Sequence, residues 1–214
     1  MSRRAPAAAA FVVSILFATA CSASHRAVGP APKNAGPAQT VLAIGGSATE
    51  GDGVRDRLAQ AWPYLVFHDA FPLSTVFVNG SLDGATVARA LDAQAPLATE
   101  LQPDVVEVWL GADDLLAATP VADFTRSLTK LLAILRTAGS RRILIADLPA
   151  AYGASVAAYN AAIHQVVNSS HAQLVPLAAV RIALAPTDGL PPQPDAASHR
   201  VVAAAFEKAI KNPA

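Results

Sequence analysis

From residue 41 onward the chain alternates short apolar runs with longer helical patterns, and this alternation limits the possible folds more than any other feature. The predicted strands are Val41–Ile44, Thr75–Val78, Val105–Leu110, Ile143–Ala146 and Gln173–Val175. The predicted helices are Asp52–Phe67, Ala85–Ala95, Val121–Ala138, Ala154–Asn168 and Asp195–Lys211. Alternating strands and helices form right-handed βαβ units, which build a parallel sheet covered by helices on both faces. The sequence therefore predicts one α/β domain, a three-layer α/β/α sandwich.

The first 21 residues have the pattern of a bacterial export signal. Arg3 and Arg4 precede an uncharged run that reaches Ala20, and this run is shorter than the roughly 20 apolar residues of a transmembrane helix. Small residues then precede Cys21, the only cysteine of the chain, as in a lipobox, where the cysteine becomes the lipid-carrying N-terminus. The pattern predicts an exported protein of the cell envelope that is lipid-anchored to the membrane at Cys21. The alternative is an ordinary cleaved signal and a secreted protein.

The rest of the composition is that of one tethered globular domain. Residues 22–40 are rich in Pro, Ala, Ser and Gly, which predicts a tether, and residues 41–214 form the predicted domain. The formal net charge is zero and no basic stripe occurs, which argues against a nucleic-acid partner. No cluster has metal-ligand spacing and no phosphate-binding glycine loop occurs, so we expect neither a metal nor a cofactor. Nothing in the sequence argues for more than a monomer.

Polar residues follow the predicted strands, at the edge of an open α/β sheet where ligands bind. Gly45-Gly46-Ser47 follows the first strand, and its glycines allow a tight turn that would present the Ser47 side chain. Ser47 is therefore a candidate nucleophile, or alternatively the N-cap of a helix. Further polar blocks follow the second, third and fifth strands; they are Asn79–Thr86, Gly111–Asp114 and the segment from Asp188 through Asp195 to His199.

These four blocks resemble the motifs of the SGNH (GDSL-type) hydrolase family, and the resemblance covers residues 41–214. The family carries Gly-Asp-Ser, Asn-x-x-x-x-Gly-x-Thr, Gly-x-Asn-Asp and Asp-x-x-His. The corresponding positions of this chain in the first three motifs are Gly45 and Ser47, then Asn79, Gly84 and Thr86, then Gly111 and Asp114. The resemblance implies a flavodoxin-like sheet with the strand order 2-1-3-4-5, in agreement with the alternation of strands and helices.

The resemblance also implies acyl transfer through an ester of the catalytic serine. Ser47 would attack a carbonyl carbon, assisted by a histidine base that an aspartate orients. The N–H groups of Ser47 and Gly84, together with a side-chain donor, would bind the oxyanion. The implied substrate is a small-molecule, glycan or lipid ester.

Two positions near the expected oxyanion site differ from the family pattern. Gly46 stands where the family has aspartate, and Asp113 stands where it has asparagine. An ionised carboxylate cannot donate a hydrogen bond, so Asp113 would serve only while protonated, which requires burial or a neighbouring negative charge such as Asp114. The alternative is that Asp113 is a solvated or capping residue at the mouth of a lost site.

The histidine position is altered as well. Gln193 falls where the family has its catalytic histidine, and glutamine cannot take a proton from serine. His199 would then be the base if the long preceding loop brings it to Ser47, with Asp195 or Asp188 to orient it. Alternatively His199 pairs with Asp195 one helical turn away and has a structural role.

These observations leave two main hypotheses of different classes. The first is an exported serine esterase or acyl hydrolase that acts through Ser47 with low activity. The second is an inactive relative in the cell envelope that binds a glycan or acyl ligand, since three family positions are changed. A purely structural envelope protein is a third possibility, but it leaves Ser47 and Gly84 unexplained.

Overall fold

A five-stranded parallel sheet forms the centre of the domain. The computed structural model describes residues 38–187 and 190–213; the predicted signal peptide, Cys21, most of the tether and Asp188 lie outside these residues. The strands are β1 (Thr40–Gly45), β2 (Val76–Asn79), β3 (Val105–Trp109), β4 (Arg142–Ala146) and β5 (Gln173–Val175). They lie in the order β2-β1-β3-β4-β5 with all neighbours parallel. The predicted fold class and strand order are confirmed.

Helices cover both faces of this sheet. They are α1 (Ser47–Glu50), α2 (Arg57–Gln60), α3 (Trp62–Ala70), α4 (Val87–Ala93), α5 (Ala95–Leu101), α6 (Ala112–Leu116), α7 (Val121–Thr137), α8 (Val156–Ser170) and α9 (Ala196–Lys211), with a 3-10 turn at Ala150–Tyr152. Because βαβ crossovers are right-handed, the step from β1 out to β2 places α3 on one face, and the later steps across the sheet place α4, α5, α7 and α8 on the other. Helix α9 returns to the first face and packs on α3.

Prolines mark the starts of two helices, one inside the predicted helix Asp52–Phe67 and one at the end of the predicted helix Ala85–Ala95. In place of the predicted helix Asp52–Phe67, the chain forms a short loop followed by two helices, α2 and α3. The Asp56 side chain caps α2 by accepting the N–H of Ala59. Pro63 lies in the first turn of α3, where its missing N–H costs no helical hydrogen bond, so a new helix begins there. A proline in the first turn of α5 likewise separates that helix from α4.

The segment after β5 is not simply the long loop that the sequence predicts before His199. It contains an antiparallel pair, β6 (Leu184–Thr187) and β7 (Leu190–Pro194). Its prolines favour a loop in the sequence, but a two-stranded ribbon tolerates them because each strand has an unpaired edge. The Asp188-Gly189 pair is the sequence signal that would have predicted a hairpin. Strand β7 packs beside α1 and thereby approaches Ser47.

Aromatic and aliphatic side chains fill the space between the sheet and each helical layer. On one face Trp62 of α3 stacks on Phe206 of α9, with ring centroids 4.2 Å apart, and meets Trp109 of β3 edge-on at 6.1 Å. Helix α7 agrees with the predicted helix and buries the expected stripe of Phe124, Leu128, Leu131, Leu132 and Leu135. None of the helices in residues 38–187 and 190–213 is long and apolar enough to cross a bilayer.

Candidate active site

Ser47 stands at the carboxyl end of β1, on the first residue of α1. Gly46 precedes the helix in an extended conformation, and Gly51 ends it with a left-handed φ of 95°. A Cβ on Gly45 would lie 1.9 Å from Thr49 Oγ1, so this strand-to-helix turn is tight enough to need glycine. The turn holds Ser47 at the sheet edge, where its side chain is 5% exposed and in contact with the loops that follow β2 and β3.

The loop after β2 folds back over Ser47. Asn79, the last residue of β2, ties the loop to α1, because its Nδ2 donates to the Thr49 carbonyl at 3.2 Å and its Oδ1 accepts the N–H of Ser81 at 3.1 Å. Gly84 then adopts a φ of 63°, and its N–H donates to Ser47 Oγ at 2.9 Å. The structure thus brings the predicted donor Gly84 directly to the predicted nucleophile.

A carboxyl group that the sequence reasoning did not single out also contacts the serine. Asp83 lies next to Gly84, and its Oδ1 accepts a hydrogen bond from Ser47 Oγ at 2.5 Å. This bond, together with a hydrogen bond from Asp52, holds the pKa of the Asp83 carboxyl below its ordinary value. Asp83 is therefore ionised beside the serine hydroxyl at neutral pH.

Asp52 stands behind Asp83 and completes a pair of carboxyl groups. Its Oδ2 atom is buried without an N–H donor among the described residues and faces the Asp83 carboxyl. Burial and the neighbouring Asp83 raise the pKa of Asp52 to about 6, although Arg57 Nη2 lies 2.6 Å from Asp52 Oδ1 and opposes this rise. Two carboxyl groups can share a hydrogen bond only if one is protonated, and these pKa directions place that proton on Asp52.

Asp113 approaches Ser47 from the opposite side, at the start of α6. Its Oδ2 accepts the N–H of Ser47 at 3.3 Å, and its Oδ1 lies 3.5 Å from Ser47 Oγ. Burial, followed by the charges of Asp83 and Asp114, raises the pKa of Asp113 to about 6. This is the environment in which the sequence predicts a protonated Asp113, and its proton is present below about pH 6.

Gly46 explains how Asp113 fits so close to the serine. A Cβ on Gly46 would lie 1.8 Å from Asp113 Oδ2 and 3.1 Å from the Ala85 carbonyl. The aspartate of the family motif could not stand at residue 46 with Asp113 in this position. With Asp113 in this position, residue 46 has room only for glycine.

The neighbouring Asp114 has a structural role. It is 1% exposed, and its Oδ2 accepts the N–H of Val87 at 2.8 Å, which fixes α6 to the first turn of α4. Thr86 caps the same helix through the N–H of Arg89. The loop that carries Gly84 is therefore held at both ends, by Asn79 before it and by the capped start of α4 after it.

The structure does not bring His199 to Ser47. His199 is fully buried under α3, and its Nδ1 accepts the backbone N–H of Trp62 at 3.2 Å. This bond places the ring proton on Nε2 and occupies the lone pair that a base would need. Burial lowers the pKa of His199 to about 4. Among the described residues, the hydrogen-bonding partners of Ser47 Oγ are Gly84 and carboxyl groups rather than an imidazole.

Asp195 and Gln193, from the polar block before His199, have other contacts. Asp195 caps α9 by accepting the N–H of Ser198 at 2.8 Å rather than orienting the His199 ring. Gln193 is 3% exposed and packs against the loop after α1, where a Cβ on Gly53 would lie 3.1 Å from the Gln193 Cβ. Gln193 thus packs on the loop that follows α1. The described residues contain no group of three or more acidic, His or Cys side chains that could hold a metal ion.

Comparisons with known proteins agree with this fold. The family model of the GDSL-like Lipase/Acylhydrolase family matches residues 43–202. An arylesterase of Vibrio mimicus is 26% identical over 167 residues, which are 74% of this chain and 82% of that protein. Thioesterase 1/protease 1/lysophospholipase L1 of Escherichia coli K12 is 29% identical over 168 residues, 76% of this chain and 79% of that protein.

Solved structures have the same architecture. The crystal structure of TesA superposes with a TM-score of 0.68 at 24% identity, over 81% of this chain and 98% of that chain. The family 3 carbohydrate esterase of Clostridium thermocellum superposes with a TM-score of 0.68 at 19% identity, over 82% of this chain and 96% of that chain. At these identities the superpositions establish the fold, and the match of the family model over most of the domain establishes the kinship. The chain belongs to the GDSL-like lipase/acylhydrolase family.

Proposed function

We propose that this protein hydrolyses esters through an acyl intermediate on Ser47. The observation that carries the proposal is the placement of the Ser47 hydroxyl, which donates to a carboxylate while the N–H of Gly84 points at its oxygen. A serine becomes nucleophilic when an adjacent base accepts its proton as it attacks. Family membership and the names of the relatives, an arylesterase and a thioesterase/lysophospholipase, support the same class of reaction.

Three groups would stabilise the oxyanion formed when Ser47 attacks a carbonyl carbon. They are the N–H groups of Ser47 and Gly84 and the carboxylic acid of Asp113. Removing one such donor from a hydrolase typically costs about 3–4 kcal/mol of transition-state stabilisation. Because Asp113 donates only when protonated, the proposed enzyme works best in mild acid.

The pocket beside Asp113 favours a short acyl group. Its volume is about 10 Å³, and its walls are formed by Gly46, Ala48, Trp109, Leu110, Ala112, Asp113 and Leu148. A volume of this size holds about one water-sized group, which corresponds to the methyl group of an acetyl ester. The neighbouring structure of a carbohydrate esterase is compatible with such a substrate. With the predicted lipid anchor at Cys21, the proposed place of action is the cell envelope.

The test is hydrolysis of nitrophenyl acetate, butyrate and octanoate at pH 5 by the full-length chain and by Ser47→Ala. We expect turnover that falls with acyl length and that decreases at least about 1,000-fold in Ser47→Ala, because the variant lacks the hydroxyl that forms the ester. Ser140→Ala is the matched control. Ser140 is 3% exposed, its hydroxyl has no partner among the described residues, and it precedes β4 at the amino end of the sheet. Equal rates in Ser47→Ala and Ser140→Ala would refute the proposal.

Binding without turnover is the second candidate function. The observation that favours it is the engagement of His199 by Trp62, which leaves the site without the histidine base of the family. If the wild-type chain shows no Ser47-dependent hydrolysis but binds acetylated glycans by calorimetry, this second function replaces the first.

A further inference from the structure

We infer that Asp83 takes the place of the missing histidine as the base for Ser47, and that Asp52 is the residue that positions it. This inference rests on the proposed function of Ser47 and identifies the group that receives its proton. Neither aspartate stands at a position that the family motifs specify.

The position of Asp83 satisfies the geometric requirement for a general base. Its Oδ1 is 2.5 Å from Ser47 Oγ, which is even closer than the about 2.6–3.2 Å at which a general base usually reaches the oxygen whose proton it takes. Arg89 Nη1 donates to the Asp83 carbonyl at 3.3 Å and the next residue, Gly84, is bound to the same serine. The loop therefore holds the carboxylate against the hydroxyl. Asp83 is also exposed to solvent, so the leaving alcohol and the incoming water can reach it.

No other described group competes for this task. The lone pair of His199 Nδ1 is occupied by the N–H of Trp62, and Gln193 has no basic atom. Asp113 also lies near Ser47 Oγ, but at 3.5 Å, and its Oδ2 is engaged by the Ser47 N–H. Asp83 is thus the carboxylate with the shortest contact to the serine hydroxyl.

Asp52 and Arg57 set the electrostatic surroundings of Asp83. Below about pH 6 Asp52 is protonated and can donate to Asp83, while Arg57 is paired with Asp52 at 2.6 Å and with Glu50 at 2.8 Å. The other charged groups that face the carboxylate are Asp113 on α6 and Arg89 on α4. The Asp52 proton prevents two adjacent negative charges and keeps the Asp83 oxygen directed at Ser47.

The proton transfers balance over both halves of the reaction. As Ser47 Oγ forms a bond to the ester carbonyl carbon, its proton passes to Asp83 Oδ1. The protonated Asp83 then donates to the alkoxy oxygen as the carbon–oxygen bond breaks, and an alcohol leaves. Water next attacks the acyl group and gives its proton to Asp83, which returns it to Ser47 Oγ as the carboxylic acid is released. Below about pH 6 Asp52 keeps its own proton throughout.

The decisive experiment compares kcat/KM from about pH 3 to about pH 9 for Asp83→Asn, His199→Gln and the wild-type chain. Asparagine keeps the shape of Asp83 but is not a base, and we expect a loss of at least about 100-fold, the usual contribution of general base catalysis. His199→Gln retains an acceptor for the Trp62 N–H, and we expect it to stay within about threefold of wild type. Asp92→Asn, an exposed aspartate on α4, is the matched control.

Two variants of Asp52 test its role as a positioning residue. An asparagine amide at this position can still donate to Asp83, so Asp52→Asn should keep the acid limb of the wild-type pH profile. Asp52→Ala removes the donor that lowers the pKa of Asp83, so its acid limb should move to higher pH. A purely structural role for Asp52 would change the rate without moving this limb, and that result would overturn the role assigned to it.

The outcomes separate the inference from the proposed function. If Ser47→Ala is inactive while Asp83→Asn stays within about threefold of wild type, Asp83 is not the base, although Ser47 remains the nucleophile. A folded His199→Gln variant that loses as much activity as Asp83→Asn would also overturn the inference. If the wild-type chain shows no Ser47-dependent turnover at any pH, both the proposed function and this inference fail.

Discussion

Replacement of Asp113 by asparagine is expected to raise kcat/KM for ester hydrolysis up to about 100-fold at pH 8 and to leave it nearly unchanged at pH 5. The pKa of Asp113 is raised to about 6 by burial and by neighbouring carboxylates. Below this pH the side chain is a carboxylic acid that can donate to the oxyanion. At pH 8 only about 1% of the molecules carry this proton, whereas an amide donates at every pH. Asparagine is also the residue that the family has at this position.

The direction of the pH dependence follows from the role of the Asp113 proton. Wild-type activity should fall as the pH rises through about 6, because deprotonation replaces a donor with a negative charge next to the developing oxyanion. A histidine base would give the opposite trend, since imidazole must lose a proton before it can act. The alkaline limb therefore reports Asp113 rather than the base. Ionisation of Asp52 also occurs near pH 6, but it is common to both proteins and largely cancels in their ratio.

The measurement is the ratio of kcat/KM for Asp113→Asn and wild type on nitrophenyl acetate at half-unit steps between about pH 4 and about pH 9. The ratio should rise with pH above about 6 and level off near 1 in acid. Asp92→Asn should give a flat ratio across the range. A flat ratio for Asp113→Asn would mean that residue 113 makes no contribution to oxyanion binding. Gly46 is retained in this variant because a larger residue there would collide with the side chain at position 113.

The fold could be predicted because it depends on local patterns. Each sheet strand is a short apolar run, and helix α7 has an apolar stripe at helical spacing, so their types and order follow from the sequence alone. The β6–β7 hairpin was missed because its prolines resemble those of a loop. Its presence depends on packing beside α1, which no local pattern describes.

The site was predictable to the extent that it consists of backbone turns and motif positions. Ser47, Gly84 and Asp113 follow different strands, and the common edge of a parallel sheet brings them together. Asp83 carries no such signal, because it stands at a position that the motif does not specify and only the structure shows its contact with Ser47. His199 shows the converse: it lies at the expected start of α9, yet tertiary packing turns its ring to the Trp62 backbone.

A second large effect concerns the stability of the fold: Glu107→Val is expected to stabilise the protein by several kcal/mol at pH 8. Glu107 lies in the middle of β3, is 0% exposed, and neither of its carboxyl oxygens has a hydrogen-bonding partner among the described residues. Burial raises its pKa from 4.5 to about 8. Valine has a similar volume and favours strands, so it removes the buried acid with little repacking.

The pH dependence distinguishes this charge effect from a general gain in packing. Between pH 4.5 and about pH 8 the folded protein holds a proton on Glu107 that the unfolded chain has released, so the free energy of unfolding falls as the pH rises. The slope for one proton is about 1.4 kcal/mol per pH unit, which amounts to about 5 kcal/mol over this range. Glu107→Val lacks this contribution, and its advantage over wild type should therefore grow steadily with pH.

Urea unfolding of wild type, Glu107→Val and Glu107→Gln at pH 5 and pH 8 provides the measurement. Glutamine removes the titration but keeps an unpartnered polar group, so it separates the cost of charge from the cost of burying polar atoms. The raised pKa values of Asp52 and Asp113 and the lowered pKa of His199 also make stability depend on pH. They are present in all three proteins, so the differences between variants isolate Glu107. If Glu107→Val is less stable than wild type at pH 8, Glu107 has a compensating partner in solution, and the buried carboxyl contributes to the fold rather than weakening it.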